Sequence, residues 1–425
     1  MRTICLALAI FCLTILGTQA AHYAVLVAGS NGYDNYRHQS NIFHAYQILT
    51  GYGYPAENII TMAYDDIAND PYNPFKGQVF NKPTKLFKKG VDVYGGVKID
   101  YKGDDVNSTN FLAVLRGDSA AVGGKKVLQS TAEDNVFVYF ADHGAPGLLA
   151  FPADNDVLYA DDFMKTLFYM HDNKMYKEMV IYIEACESGS MFENLLPNNM
   201  SIYATTAANS HESSWGTYCS PNDHVGGKAI GSCLGDLYSI NFLENLESVD
   251  PTKETLQEQY NIVKKLTTKS HVQQFGDLSI AAEVIENFEA DKSASETPLV
   301  SEENDDAADK YASLVDSRLN RLYFLQNRHS MLQSAHSHQE LAEELESIQR
   351  FDNRFETLAK KFGLNVKAPI GNIDFGCLKT RVAMYNEVCG SFSDYGLKYV
   401  RYLHFSCIQG VDIYDFEEAL IQVCA

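Results

Sequence analysis

Five short runs of β-branched and aromatic residues, each closed by small, turn-forming residues, constrain the fold more than any other feature of the chain. They are His22 to Gly29, Ile59 to Ala63, Val136 to Ala141, Met179 to Ile183 and Ser201 to Thr206. Continuous apolar runs of this length suit strands covered on both faces. Helical spacing lies between them, as in Ile42, Ala45, Tyr46 and Leu49, in a helix beginning near Phe111, and in one from about Ala160 to Met170. Strands alternating with helices predict an α/β fold with a doubly wound, mostly parallel sheet, whose carboxyl edge is where such folds place ligands. Two of the runs end in reactive residues at that edge. One leads into Asp142-His143-Gly144 and the other into Glu184-Ala185-Cys186.

At 425 residues the chain is longer than one ordinary domain. Its formal charge of -21, with nothing basic massed along it, argues against nucleic acid or an anionic membrane as a partner. Residues 1–20 read as a secretory signal peptide: Arg2, an apolar run from Ile4 to Leu16, then small residues at Thr18-Gln19-Ala20. No later segment is apolar enough to span a bilayer, so a soluble secreted, lysosomal or acidic vacuolar protein is expected.

Of nine cysteines, the seven beyond the leader are an odd set for an oxidising compartment. Cys219 and Cys233 close a short loop rich in turn residues. Cys377, Cys389, Cys407 and Cys424 suit a two-disulfide cluster whose connectivity the sequence leaves open. Cys186 is left unpaired.

The strand and helix pattern fills residues 21–288. From about 289 the composition becomes that of an acidic linker, and 289–330 is expected to hold that linker and a helix from about Ala308 to Asn327. Residues 331–425 read as a helical, disulfide-bonded unit, with Leu341, Leu345, Ile348, Phe355, Leu358 and Phe362 marking a long amphipathic helix.

A thiol attacks well only as thiolate, and a neighbouring imidazole both favours that form and can later protonate a leaving group. His143 before Cys186, each ending a buried strand, matches in kind the order of a caspase signature and reverses that of papain-like enzymes. Gly144, lacking a side chain, lets backbone N–H groups approach an oxyanion together with that of Cys186.

Longer motifs add a resemblance. Val27-Ala-Gly-Ser-Asn-Gly32, Asn35-Tyr-Arg-His-Gln39, His44-Ala-Tyr-Gln47, Asn110-Phe-Leu-Ala-Val-Leu-Arg-Gly-Asp118, Asp142-His-Gly144, Tyr182-Ile-Glu-Ala-Cys-Glu-Ser-Gly-Ser-Met191 and Tyr203-Ala-Thr-Thr-Ala-Ala208 closely resemble the legumains, the asparaginyl endopeptidases. The resemblance implies a caspase-like fold, with Cys186 as nucleophile, His143 as acid-base partner and Asn35 orienting the histidine. It also implies a specificity pocket of Arg37, His38, Glu184 and Asp236, with Ser213 and Ser214 at its wall. One guanidinium and two carboxylates there can satisfy both ends of an Asn amide, and a protonated Asp can mimic Asn in acid. By the same likeness Asp142 is a candidate for succinimide formation, and cystatin-type proteins are candidate inhibitors.

Legumains are zymogens whose activation peptide and death-domain-like helical prodomain cover the site until acid-triggered self-cleavage. The linker and four-cysteine unit fit that plan, with Asn304 as the candidate cleavage site. Asn107 and Asn199 stand in glycosylation sequons. No cofactor is expected, and no histidine spacing suggests a metal. Transpeptidation by the same site is the alternative activity. A nucleotide-binding module ranks far below, because Gly29-Ser-Asn-Gly32 lacks the dinucleotide-binding glycine spacing.

Overall fold

The computed structural model describes residues 20–290 and 307–425, so the expected leader up to residue 19 and the candidate cleavage site Asn304 lie outside the described residues. The apolar runs form strands β1 (His22–Ala28), β2 (Ile59–Met62), β3 (Asn135–Ala141), β4 (Glu178–Glu184) and β5 (Ile202–Thr206). A sixth strand, β6 (Gln273–Gly276), completes a sheet of order β6-β5-β4-β3-β1-β2. All pairs are parallel except β6 with β5. The expected doubly wound, mostly parallel sheet is present, with an antiparallel edge strand that the sequence did not signal.

Period-two alternation explains why these strands carry continuous apolar runs. Leu26, Tyr139, Val180 and Tyr182 face one layer, packed against Ile42, Phe43 and Leu243. Val27, Phe140, Ile181 and Ile183 face the other, packed against Phe111, Phe163 and Leu167. The first layer holds helix α1 (Tyr36–Gly51), and the second holds the helices Ser108–Leu115 and Ala160–Asp172. Asn107, one of the two sequon asparagines, caps the helix Ser108–Leu115 by accepting from the Asn110 N–H. Asn199 is exposed.

The helix expected from about Ala308 to Asn327 is not one helix. It is a helical turn, Ala307–Ala312, then a short strand, Val315–Asp316, then the helix Asn320–Leu332. Val315 and Asp316 pair antiparallel with Gly216 and Trp215 of the strand Trp215–Thr217. That pairing competes successfully with the helical periodicity of Leu314, Leu319 and Leu322. The helix beyond it sends Phe324 and Leu325 into the first sheet layer.

Residues 335–424 form the expected helical unit, from the helices Ala335–Phe362, Phe375–Cys389, Val400–Ile408 and Ile413–Cys424. Disulfides Cys377–Cys407 and Cys389–Cys424 tie the last three of these helices together, Cys219–Cys233 closes its loop, and Cys186 is the free cysteine among the described residues. No described helix is long and apolar enough to cross a membrane.

The centre of this unit is a stack of aromatic rings, with Phe355 4.5 Å from Tyr399 and nearly parallel to it. Truncating the fully buried Phe355 to Ala removes that stack and leaves a cavity. The Phe355→Ala chain is expected to lose about 3–5 kcal/mol from the unfolding of its helical unit, read by chemical denaturation, while Phe355→Leu loses clearly less.

Candidate active site

The sheet brings the ends of β3 and β4 side by side, with Ala141 opposite Glu184 in register. The chains then stay close: the Asp142 N–H donates to Glu184 O, and a Cβ built on Gly144 would lie 2.4 Å from Cys186 O. Only glycine fits there, which is how His143 and Cys186 come to flank one edge. The turn from β1 into α1 adds Asn35, Arg37 and His38 to the same edge.

These residues form one network. Asn35 Oδ1 lies 2.9 Å from His143 Nε2 and also accepts from Arg37 at 3.0 Å. Arg37 donates through Nε to Asp236 Oδ1 at 2.9 Å, and Asn41 donates to the other oxygen of that carboxylate. The second neighbour of His143 Nε2 is Asp394 Oδ2 at 3.2 Å, an oxygen that also accepts from Asn35 Nδ2. Its two nearer neighbours are acceptors, and the one donor, Arg37 NH2, stands farther off at 3.5 Å, so Nε2 carries a proton. Nδ1, buried and without a hydrogen-bond partner, is left as the basic or proton-delivering nitrogen.

The Cys186 sulfur accepts from the Ser214 N–H at 3.3 Å and lies 3.7 Å from its hydroxyl. Ser214, expected at the pocket wall, therefore touches the thiol; Ser213 beside it is half-buried. The thiol is fully enclosed, and burial pushes it up to about 12, with Glu187 and Asp316 adding to the rise and Arg318 opposing it. In this closed form the cysteine is a protonated, weak nucleophile.

Enclosure comes from the segment that breaks the expected helix. Ser317 donates its N–H to Ser214 O, and its hydroxyl lies 3.1 Å from that of Ser214. Arg318 donates to Gly144 O at 3.2 Å and pairs with the buried Glu187. Neither Glu187 nor Asp394 was foreseen as a site residue. Glu187 follows Cys186 directly and carries a left-handed backbone at φ 48°. Asp394 arrives from a distant helical unit, and no local pattern marks it.

In the expected pocket, Glu184 Oε2 accepts from the N–H and hydroxyl of Ser239, while Oε1 is buried without a partner. Burial, reinforced by Asp236, raises the Glu184 carboxyl well above its ordinary range, and Asp142 is raised by burial too. Burial and the neighbouring Arg37 hold His38 neutral. His38, Asp142 and His143 bring one ligand-type atom each within 4.8 Å of one another, a cluster invisible to the spacing argument by which no metal was expected.

Comparison with known proteins accounts for both parts of the chain. Residues 22–297 match the model of the Peptidase C13 family, and residues 330–424 match that of the legumain prodomain. The vacuolar-processing enzyme beta-isozyme of Arabidopsis thaliana is 39% identical over 95% of this chain and 86% of its own length. Legumain of Canavalia ensiformis is 38% identical over 95% and 88%. Legumain of Mus musculus is 51% identical over 65% of this chain and 61% of its own. Among solved structures, caspase-1 of Spodoptera frugiperda aligns over 64% of this chain and 92% of its own at 9% identity, with a TM-score of 0.36. The chain belongs to the Peptidase C13 family and is a cysteine endopeptidase zymogen with a legumain-type prodomain.

Proposed function

We propose that this endopeptidase cuts after Asn, and after Asp in acid, through a thioester on Cys186, and that the segment Val315 to Arg318 occupies the substrate path in the zymogen. The observation that carries this reading is the antiparallel seating of that segment directly over the buried thiol. Once the segment leaves, the thiol regains solvent and its proton can pass to His143 Nδ1. The thiolate then attacks the backbone carbonyl carbon of the Asn, and His143 returns the proton to the departing amine of the following residue. Water, deprotonated by the same nitrogen, hydrolyses the thioester. Asn35 holds the ring in place, and the N–H groups of Gly144 and Cys186 are assigned to the oxyanion.

In the pocket, Arg37 NH2 makes only a long 3.5 Å approach to His143, which leaves that end of the guanidinium for an amide oxygen. The unpartnered Glu184 Oε1 is the matching acceptor for an amide NH2. Asp142 remains the candidate for succinimide formation, Asn304 for self-processing and Asn199 for glycosylation, while the capping role of Asn107 competes with a glycan there. The domain limits proposed are 21–288, 289–330 and 331–425, in a protein of the secretory pathway bound for an acidic compartment. Hydrolysis is preferred to transpeptidation, because the relatives are named as processing enzymes and legumains.

Incubated at about pH 5 beside Cys186→Ala, the acid-processed protein is expected to cleave an Asn-containing peptide while the variant leaves it intact; cleavage by the variant would place the nucleophile elsewhere.

Ser317, whose hydroxyl lies 3.1 Å from that of Ser214 beside the thiol, is assigned on this reading to the place of the residue before the cut, and its side chain is too small to fill a pocket for Asn. Ser317→Asn is expected to turn the covering segment into a substrate. N-terminal sequencing of the acid-treated variant should find a new chain starting at Arg318, absent from wild type.

The helical unit is held over the site by carboxylates that respond to acid. Burial alone would raise Asp394, but His143, Asn35 and Arg37 outweigh it and hold the carboxyl well below its ordinary 3.8. Asp162 is also lowered, by Lys165 and by Lys379 of the helical unit. A carboxyl depressed in the closed form stabilises that form fully above its ordinary value, and the contribution fades as pH falls below it. Asp394→Asn, in a Cys186→Ala background, should therefore open at higher pH, by on the order of one unit. Hydrogen exchange of residues 391–400 from pH 7 to pH 3 reads the midpoint, and an unchanged midpoint would remove Asp394 from the release mechanism.

A further inference from the structure

The expectation that nothing basic is massed along the chain fails at one place. Residues 82–89, Lys-Pro-Thr-Lys-Leu-Phe-Lys-Lys, hold four lysines and no acid in a protein of net charge -21. Lys85 to Lys89 are all exposed. The hairpin His224–Val225 with Lys228–Ala229 braces this loop and adds the exposed Lys228. Thr84 donates its N–H to His224 O at 2.9 Å, and its hydroxyl accepts from the Gly226 N–H at 2.8 Å. The result is an exposed cationic tip tied to the hairpin through Thr84.

The chain returns from the acidic linker beside the base of that tip. Lys310 donates to Glu244 Oε2 at 2.7 Å, and Lys82 lies 3.8 Å from the other oxygen of Glu244. Four carboxylates, Glu302, Glu303, Asp305 and Asp306, lie just upstream of Lys310 in sequence. At no more than about 3.6 Å per residue they are tethered within reach of Lys85, Lys88 and Lys89. A short tether of this kind gives an effective concentration in the millimolar range, well above that of a separate acidic partner.

We propose that the lysine loop is the docking surface for the acidic segment 302–306 of the same chain, and that it holds the activation peptide against the protease body in the zymogen. The proposal deepens the zymogen reading and rests on it. It assigns a job to a loop that takes no part in the proposed chemistry. Removal of the segment on activation would uncover a cationic surface near Asn81, whose side chain is hydrogen-bonded to Ser40 and Asn41 beneath the pocket.

The test uses the full chain with Cys186→Ala, so that self-cleavage cannot contribute, and a glutamate-specific endopeptidase to cut after Glu302 and Glu303. Three loops are compared at low and high salt: native, Lys85→Ser/Lys88→Ser/Lys89→Ser, and Lys85→Arg/Lys88→Arg/Lys89→Arg. The serine variant is expected to be cut roughly tenfold faster than native at low salt, the summed worth of three exposed ion pairs. The arginine variant should match native, and 0.5 M salt should bring all three together. Equal rates for native and serine loops at low salt would overturn the proposal, as would an arginine loop cut as fast as the serine one. Because neither Cys186 nor Asn304 is needed for the readout, failure here is distinguishable from failure of the protease reading.

Discussion

A single buried amide oxygen, that of Asn35, organises the site, because Arg37 and His143 both depend on it. Arg37 is completely enclosed, and a buried guanidinium must be paired and hydrogen-bonded or the fold loses several kcal/mol. Its partners come from separate elements: Asp236 from a short strand, Asn35 from the turn after β1, and His143 from the end of β3. Satisfying one charge therefore fixes three strand ends against one another. The same arrangement fixes the histidine tautomer, since only a protonated Nε2 suits the two acceptors beside it. What looks like a stability requirement of the core is also what aims Nδ1.

The covering segment and the helical unit exploit groups that the site already contains. Asp394 shares the Asn35 amide and His143 Nε2, and Ser317 takes the backbone carbonyl of Ser214. An extended segment gains affinity from main-chain hydrogen bonds whatever its side chains, so a strand without a suitable residue for the pocket can bind and remain uncut. Inhibition then needs no special surface. It needs only that the tethered segment outcompete substrates, and the tether supplies that advantage.

Much of the fold and of the site was legible in the sequence, for reasons that differ by residue. The five central strands were legible because strands buried on both faces have no polar alternation to blur them. Cys186 stood out by cysteine pairing, and His143 because it ends a neighbouring run. The resemblance to a known family supplied Asn35, Arg37 and Asp236, which no spacing argument singles out. The edge strand Gln273–Gly276 was hidden because its residues are half-buried and Phe275 is the one large apolar side chain among them. Residues 313–319 were misread as helix because Val315, Leu319 and Leu322 recur at helical spacing, and only pairing with Trp215–Thr217 overrides that local preference. Asp394 and the clustering of His38 with Asp142 and His143 depend on contacts between distant parts of the chain, which periodicity cannot carry.

Acid acts on this closed form in two opposite senses, and the balance sets how the zymogen behaves. Asp394 and Asp162 are depressed by cationic and hydrogen-bonding partners, so protonation weakens closure. Glu187 behaves differently. Burial pushes it up to about 7 even though Arg318 opposes the rise, so if release of Arg318 and hydration return this carboxyl toward its ordinary range, closure binds a proton at Glu187 that opening gives up. As pH falls from about 7 toward 4.5, Glu187 makes closure more favourable; below the ordinary carboxylate range Asp394 and Asp162 make it less so. On the proposed release mechanism, closure is expected to hold through mild acidification and to weaken where the depressed carboxylates begin to protonate. The buried pair beside the thiol is thus a brake on early opening, and the carboxylates at His143 and Lys379 are the release.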